Sequence, residues 1–423
     1  MIGAAALRRQ LEEDVRDSRE RLIDLCARLV RVPSENPPGD TRPIVAALCE
    51  WLGSEPVQCT VHAAREAMPN LVVRVAGERP GRRLVFNGHL DTFPVGDPSL
   101  WTVDPVGGVV KDGRIYGRGV SDMKGGIAAS VLALLLLARY REAWPGELVL
   151  TLAADEETMG PWGTKYLLDT VPEASGDAMI CGDAGSPRVA RFGEKGLVWL
   201  RVSARGRGAH GAHVHRGENA IESLMEALVR IRELRRLPVA TPREVGEAIA
   251  AAAATSEAES GAGETEVLTT VTVNVGRIDG GLAVNLVPDR ATAEIDIRLP
   301  VGVDTACIVE RAQEAVANIP GVTIEVLRRF EPNYTSPSHE IVQRVVANGA
   351  RVLGRAPVAT MRVGASDSRY YRERGIPTVV YGPAPYNMGG ADESITVDDL
   401  FAVGYVHVLT AFDFLAAELA AEP

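Results

Sequence analysis

The chain has 423 residues, 46% hydrophobic and 24% charged, and its 45 basic and 56 acidic side chains leave a formal net charge of −11. Such a length exceeds one typical domain, so two are expected. The acidic balance argues against nucleic acid or an anionic membrane as a partner. Five cysteines (Cys26, Cys49, Cys59, Cys181 and Cys307) without Cys-x-x-Cys spacing argue against a disulfide framework or zinc knuckle and fit a reducing cytoplasm.

The N-terminal stretch is charged along its length and lacks the apolar core of a signal peptide. Helical periodicity covers residues 5–32, with Leu22, Leu25, Leu29 and Val30 on one side, until Pro33 stops it. A turn-rich loop, Ser34 to Gly39, leads to a second helix at 42–53 and strands at 57–62, 70–76 and 83–87. His89 and Asp91 stand just past the last of these strands. Ligands of open α/β sheets gather beyond the strands' carboxyl ends.

The stretch Gly117-Arg-Gly-Val-Ser-Asp-Met-Lys-Gly-Gly126 follows, with Asp122 at the mouth of an apolar helix. The apolar run near 127–138 is too short to span a bilayer and reads as buried. A strand at 147–153 runs into Asp155-Glu156-Glu157. After a helix at 161–170, a strand at 178–181 ends at Asp183. Three strands therefore end in acids or histidine, and the loop acid Asp122 joins them.

From about 193 the pattern changes. Strands at 197–203, 267–274 and 290–298, with helices at 219–234 and 308–318, follow the order βα–ββ–αβ of a small sandwich of helices on an antiparallel sheet. Low-complexity residues 250–266 read as a mobile surface loop. The α/β pattern then returns with a helix at 338–353, strands at 359–362 and 377–381, and a terminal helix at 397–419.

Each motif alone is bland. A lone His-x-Asp is usually a surface pair, an acid triplet usually faces solvent, and a glycine-flanked Asp can be a helix cap. Their joint occurrence beside strand ends points to a metal site, with imidazole and carboxylate donors suited to zinc or manganese.

In these motifs the sequence resembles the metal-dependent exopeptidase and amidohydrolase family of acetylornithine deacetylase, succinyl-diaminopimelate desuccinylase, aminoacylase and glutamate carboxypeptidase. The resemblance rests on Asn87-Gly-His-Leu-Asp91, Gly117 to Gly126, Asp155-Glu-Glu157, Gly364-Ala-Ser-Asp-Ser-Arg369 and Gly375 to Pro383, and extends from Leu29 to Glu393. It implies an α/β fold: a mixed-sheet aminopeptidase-like catalytic domain at 1–192 and 331–423, with an inserted ferredoxin-like α+β dimerisation lid at 193–330. It also implies roles. His89, Asp122, Asp183 and Glu157 would bind metal, Asp91 would orient His89, and Glu156 would be the general base. His210, near His213 and His215, would reach a neighbouring subunit's site, and Asn285 and Arg298 would contact substrate. The partners implied are a small carboxylate-bearing substrate and a second copy in a homodimer.

One position departs. The family places a histidine four residues before the C-terminal acid, and here that position is Gly389, ahead of Glu393. The set of Asp122, Glu157 and the missing histidine has lost its nitrogen ligand, while His89, Asp122 and Asp183 remain. One zinc or manganese per subunit is therefore expected, with hydrolysis of an amide, peptide or N-acyl bond. The alternatives are an aminohydrolase releasing ammonia from an aromatic amine such as 5-nitroanthranilate, and a non-catalytic ligand-binding relative.

Overall fold

The computed structural model describes residues 3–417, so the end of the expected 397–419 helix, residues 418 and 419, lies outside the described residues. The chain divides into two compact units. One comprises Met1–Phe192, Thr335–Thr360 and Ser366–Pro423, the other Gly193–Tyr334 and Met361–Ala365. Residues 331–334 and the Met361–Ala365 stretch thus group with the second unit.

The first unit is built on a mixed sheet. Its strands run in the order Gln58–His62, Asn70–Ala76, Pro145–Ala153, Arg79–His89, Ala178–Cys181 and Thr378–Val380. The Arg79–His89 strand is parallel to both neighbours, with His89 opposite Ala153 and Asn87 opposite Cys181. Leu84, Val85, Phe86, Leu148, Leu150, Leu152 and Ile180 are all buried. Such continuous apolar runs suit strands covered on both faces. The shared register brings the ends of these three strands level, which gathers His89, Asp155 and Asp183 at one edge.

The helix Gly125–Arg139 is buried from Gly125 through Ala138 and packs against Val397–Leu415. Joined to the turn before it, the apolar stretch Val120–Ala138 reaches 19 residues, and among the described residues it alone is long and apolar enough to cross a membrane. It is longer than the 127–138 run suggested, but 94% of it is buried inside the protein, which makes it a core helix. The N-terminal periodicity is interrupted: Ala4–Asp17 and Arg19–Val30 are separate helices. Ser18 separates them, and its hydroxyl donates back to the Asp14 carbonyl at 2.7 Å.

The second unit carries a four-stranded antiparallel sheet in the order Thr272–Gly280, Arg290–Leu299, Gly196–Arg205, Val322–Phe330. Helices Ala220–Arg232 and Thr305–Val316 pack on it, their Leu224, Ala227, Ile231, Ile308 and Ala312 meeting Val198, Leu200, Ile295 and Ile297. The chain order is strand, helix, strand, strand, helix, strand.

Two expectations fail here. Residues 250–266 are not a loop, because Arg243–Ser260 and Glu264–Thr269 are helices. Alanine is the best helix former, and Val245, Ile249, Ala252 and Ser256 supply a buried seam at helical spacing. The strand expected at 267–274 begins only at Thr272. The preceding residues finish a helix whose last carbonyls, Val267 and Thr270, accept from the buried Lys195 ammonium, the latter at 2.8 Å.

Candidate metal centre

Donor atoms of His89, Asp122 and Asp183 lie within 4.8 Å of one another, the only such group of three among the described residues. Each arrives by a different route. His89 ends its strand. Asp122 lies in the distorted turn Val120–Lys124, where its φ of −128° and ψ of 89° leave the helical region. Asp183 follows the Ala178–Cys181 strand. The Asp122 and Asp183 loops are joined by close packing of Gly126 on Gly182, since a Cβ on Gly126 would collide with the Gly182 carbonyl oxygen.

His89 is 3% exposed, and its Nδ1 lies 2.9 Å from the Asp91 backbone carbonyl. An Nδ1–H donated there leaves Nε2 to face Asp122 Oδ1 at 2.9 Å, which is the tautomer a metal ligand needs. Asp91 thus orients the ring through its backbone carbonyl, while its carboxylate stands 3.7 Å from Nδ1. That carboxylate has other partners. It accepts from the Glu156 and Glu157 amides at 3.2 and 3.1 Å and from Asn36 Nδ2 at 2.9 Å. Asn36 also reaches Asp155 at 3.2 Å.

Glu156 and Glu157 are half-buried beside the three donors. Burial raises Glu156 to about 8, with Asp367, Asp183 and Asp122 adding to the shift and His89 opposing it. Burial, then Asp122, push Glu157 to about 10. Burial works against charge on His89, but Asp122, Glu156 and Asp91 outweigh it and hold the imidazolium well above its ordinary range. Several carboxylates therefore converge on one imidazole. The nearby cations are committed elsewhere: Arg118 pairs with Glu393 at 2.6 Å, and Lys124 donates to the Val32 carbonyl at 2.8 Å. This charge imbalance, with one nitrogen and two oxygen donors, fits a divalent cation. Glu157 lies outside the group of three, and its Oε1 accepts from the Phe93 amide at 3.1 Å.

The remaining predicted residues belong to the second unit. His210 is exposed and paired opposite Leu286, and the Gly211 amide donates to the Asn285 carbonyl at 2.7 Å, so His210 and Asn285 are neighbours. Arg298 Nε donates to both Asp296 oxygens at 2.9 and 3.0 Å, while one terminal nitrogen is buried without a partner.

Gly389 has a φ of +75°, and a Cβ there would meet only the Phe93 ring, at 3.7 Å. Its carbonyl accepts from Arg118 at 3.1 Å. His407 is buried, 2.9 Å from the Tyr381 carbonyl and stacked on Phe86 at 5.1 Å, as a structural residue.

A model of peptidase family M20/M25/M40 matches residues 85–412. The chain belongs to that family. It is 28% identical over 397 residues to a succinyl-diaminopimelate desuccinylase of Rhodospirillum centenum, covering 91% of this chain and 95% of the relative. The Paracoccus denitrificans desuccinylase is 30% identical over 392 residues, covering 89% and 94%. The M20 family metallo-carboxypeptidase Sso-CP2 of Sulfolobus solfataricus shares the fold, with a TM-score of 0.79 at 20% identity over 93% of this chain and 99% of that one. The protein is a metal-dependent hydrolase acting on amide bonds, with a small molecule as substrate.

Sequence reasoning missed three groups. Asn36 bridges Asp91 and Asp155. Buried Asp367, in the Gly364–Arg369 motif, adds its charge to Glu156. Glu393 served only as a landmark, yet its carboxylate accepts from Arg118, from the Gly119 and Ser121 amides and from the Ser121 hydroxyl at 2.6–3.2 Å. All three residues lie within or beside the sequence motifs, but no local period signals their contacts.

Proposed function

We propose that the protein cleaves an N-acyl, amide or peptide bond of a small carboxylate-bearing substrate using one divalent metal, zinc or manganese, held by His89, Asp122 and Asp183. The observation that supports this reading is the convergence of those three donors, while the second set, Asp122 and Glu157, lacks a histidine because position 389 is glycine. Bound there, a divalent cation would polarise a carbonyl and acidify water. Glu156 takes a proton from the attacking water and passes it to the leaving nitrogen. Its position is set by Asp91, which holds the Glu156 and Glu157 amides. Proton transfer by such a residue contributes about 10²–10⁴-fold. The curated relatives act as desuccinylases, which favours an N-succinyl or similar acyl group. Arg298, with a buried donor still unmatched, suits a substrate carboxylate. His210 reaches the site of a neighbouring subunit, and Asn285, whose carbonyl accepts from the Gly211 amide next to His210, contacts substrate.

The second unit pairs with a second copy of the chain. Met225 and Val229, four residues apart on Ala220–Arg232, are 57% and 61% exposed, and Ile278 on the edge strand is 58% exposed.

The second reading is an aminohydrolase releasing ammonia from an aromatic amine, favoured by the lack of a histidine at Gly389, which lies beside the Phe93 ring. Assaying N-succinyl amino acids against aryl amines separates the two by product, succinate or ammonia. For the metal centre, chelation should abolish turnover. Asp183→Asn should release the ion, whereas Glu157→Gln should retain it. Loss of the ion from Glu157→Gln would overturn the mononuclear reading. Glu156→Gln should keep the ion and lose roughly 10²–10⁴-fold in kcat; near-normal turnover would remove Glu156 as the base.

A further inference from the structure

The second unit's sheet has a face that its helices do not cover. Val198, Leu200, Ile295 and Ile297 pack toward the helices, so the alternate residues of the same strands point the other way. Cross-strand register sets those residues in two rows. In one, Trp199 lies opposite Asp296 on one side and Arg328 on the other. In the next, Arg201 lies opposite Glu294 and Glu325, and Glu294 lies opposite Arg277. Each edge strand carries a bulge between the rows, Gly276 on Thr272–Gly280 and Leu327 on Val322–Phe330. A bulge bends its strand and re-aims the side chains beside it. Both bulge residues line a cavity of about 260 Å³, together with Trp199 and Asp296 from one row and Arg277 and Glu294 from the other.

Size and lining decide what the cavity can take. A cavity of about 150 Å³ holds benzene, so this one has room for a single ring with a small substituent. Trp199 offers a flat wall for a stacked ring, and Leu327 an apolar one. Both carboxylates in the wall are already matched. Asp296 accepts from Trp199 Nε1 at 3.0 Å and from Arg298 Nε at 2.9 and 3.0 Å. Glu294 accepts from Arg201 at 2.9 and 3.2 Å. The Arg277 guanidinium is exposed and makes no hydrogen bond or ion pair among the described residues. Arg328 adds a second positive charge, 5.5 Å from the centre of the Trp199 ring. The charge left over is positive, and a planar guanidinium matches a carboxylate. Gly276 keeps the space open. Its φ lies outside the left-handed region, and a Cβ there would come no nearer than 3.8 Å to Asn274 Nδ2, so a larger side chain is tolerated locally and would fill the cavity.

We infer that this cavity is a binding site for a small aromatic carboxylate, with the ring against Trp199 and the carboxylate on Arg277. It shares no residue with His89, Asp122 and Asp183, nor with His210, Asn285 and Arg298, so it stands apart from the proposed reaction. Asp296 nevertheless joins it to Arg298 through their hydrogen bonds.

The test is calorimetric titration of the full-length protein with benzoate, and with benzylamine as its cationic counterpart. Benzoate should bind saturably and benzylamine at least about tenfold more weakly, since one ligand gains a charge-assisted hydrogen bond that the other cannot make. Gly276→Leu, with folding checked by circular dichroism, should lose benzoate binding because the new side chain occupies the cavity. Arg277→Gln changes an exposed residue and should weaken benzoate about tenfold. That variant decides the matter by itself if Gly276→Leu does not fold. Absence of saturable benzoate binding, equal affinity for benzylamine, or wild-type affinity in folded Gly276→Leu or in Arg277→Gln would each overturn the site.

Discussion

Glu393 offers the sharpest check on how the fold holds the metal turn. Its carboxylate is 1% exposed, pairs with an Arg118 that is 4% exposed, and receives hydrogen bonds from Gly119 and Ser121, immediately before Asp122. Replacing it by alanine removes four charge-assisted bonds and leaves the Arg118 guanidinium buried without its counter-charge. Breaking a buried pair from one side costs about 3–5 kcal/mol. Against a total stability of about 5–15 kcal/mol that is a large fraction. Glu393→Ala should therefore lower the urea midpoint substantially and weaken metal binding, since Asp122 rides on the released turn. Glu393→Gln keeps the shape and one acceptor oxygen, so its loss should be smaller. Arg118→Met in the Glu393→Ala background should cost far less than it does alone, because the uncompensated charge is then gone. Urea unfolding followed by fluorescence, with metal affinity measured alongside, reads all of these. A Glu393→Ala protein within about 1 kcal/mol of wild type and with unchanged metal affinity would refute the clamp.

Further expectations concern three other residues. His407 is buried and its pKa is lowered to about 4, first by burial, so the unfolded chain binds a proton that the folded chain refuses between about 6.5 and 4. Stability should rise with pH across that window, and acidification through it should cost about 3 kcal/mol; His407→Gln should remove that part of the slope in pH-dependent unfolding, and an unchanged slope would contradict it. Asp91→Asn places a donor against the Glu156 and Glu157 amides, and should lower metal affinity and kcat by roughly 10–100-fold in kinetic and metal-binding assays. Gly126→Ala drives a methyl into the Gly182 carbonyl, and should cost about 1–3 kcal/mol in denaturant unfolding while displacing Asp183 enough to weaken metal binding.

Much of this architecture was legible in the chain. Apolar runs of strand length, each ending in His89, Asp155 or Asp183, disclose a parallel sheet with a polar edge, because side-chain period and strand-end chemistry are local properties. The glycine-flanked Asp122 before a wholly apolar helix is equally local. So is the absence of a histidine at position 389. The helix at Arg243–Ser260 was missed because a run of alanine, serine and glutamate looks like low complexity. Its seam of Val245, Ile249, Ala252 and Ser256 gains meaning only when another surface covers it. The break at Ser18 was hidden for the opposite reason, since the apolar period continues through a position where a hydroxyl competes for the backbone.

The sequence by itself determined which residues could bind metal, the strands that carry them and the family to which the chain belongs. Tertiary structure decided which of those acids meet. His89, Asp122 and Asp183 gather because Gly126 packs on Gly182 and the three strands share a register. Asp91 turned from a ring-orienting carboxylate into the holder of the Glu156 and Glu157 amides, and Glu393 from a landmark into a clamp. Contacts between residues 91 and 156, or 121 and 393, leave no trace in local periodicity. They arise from long-range packing, where a buried carboxylate takes whatever donors the fold brings within reach.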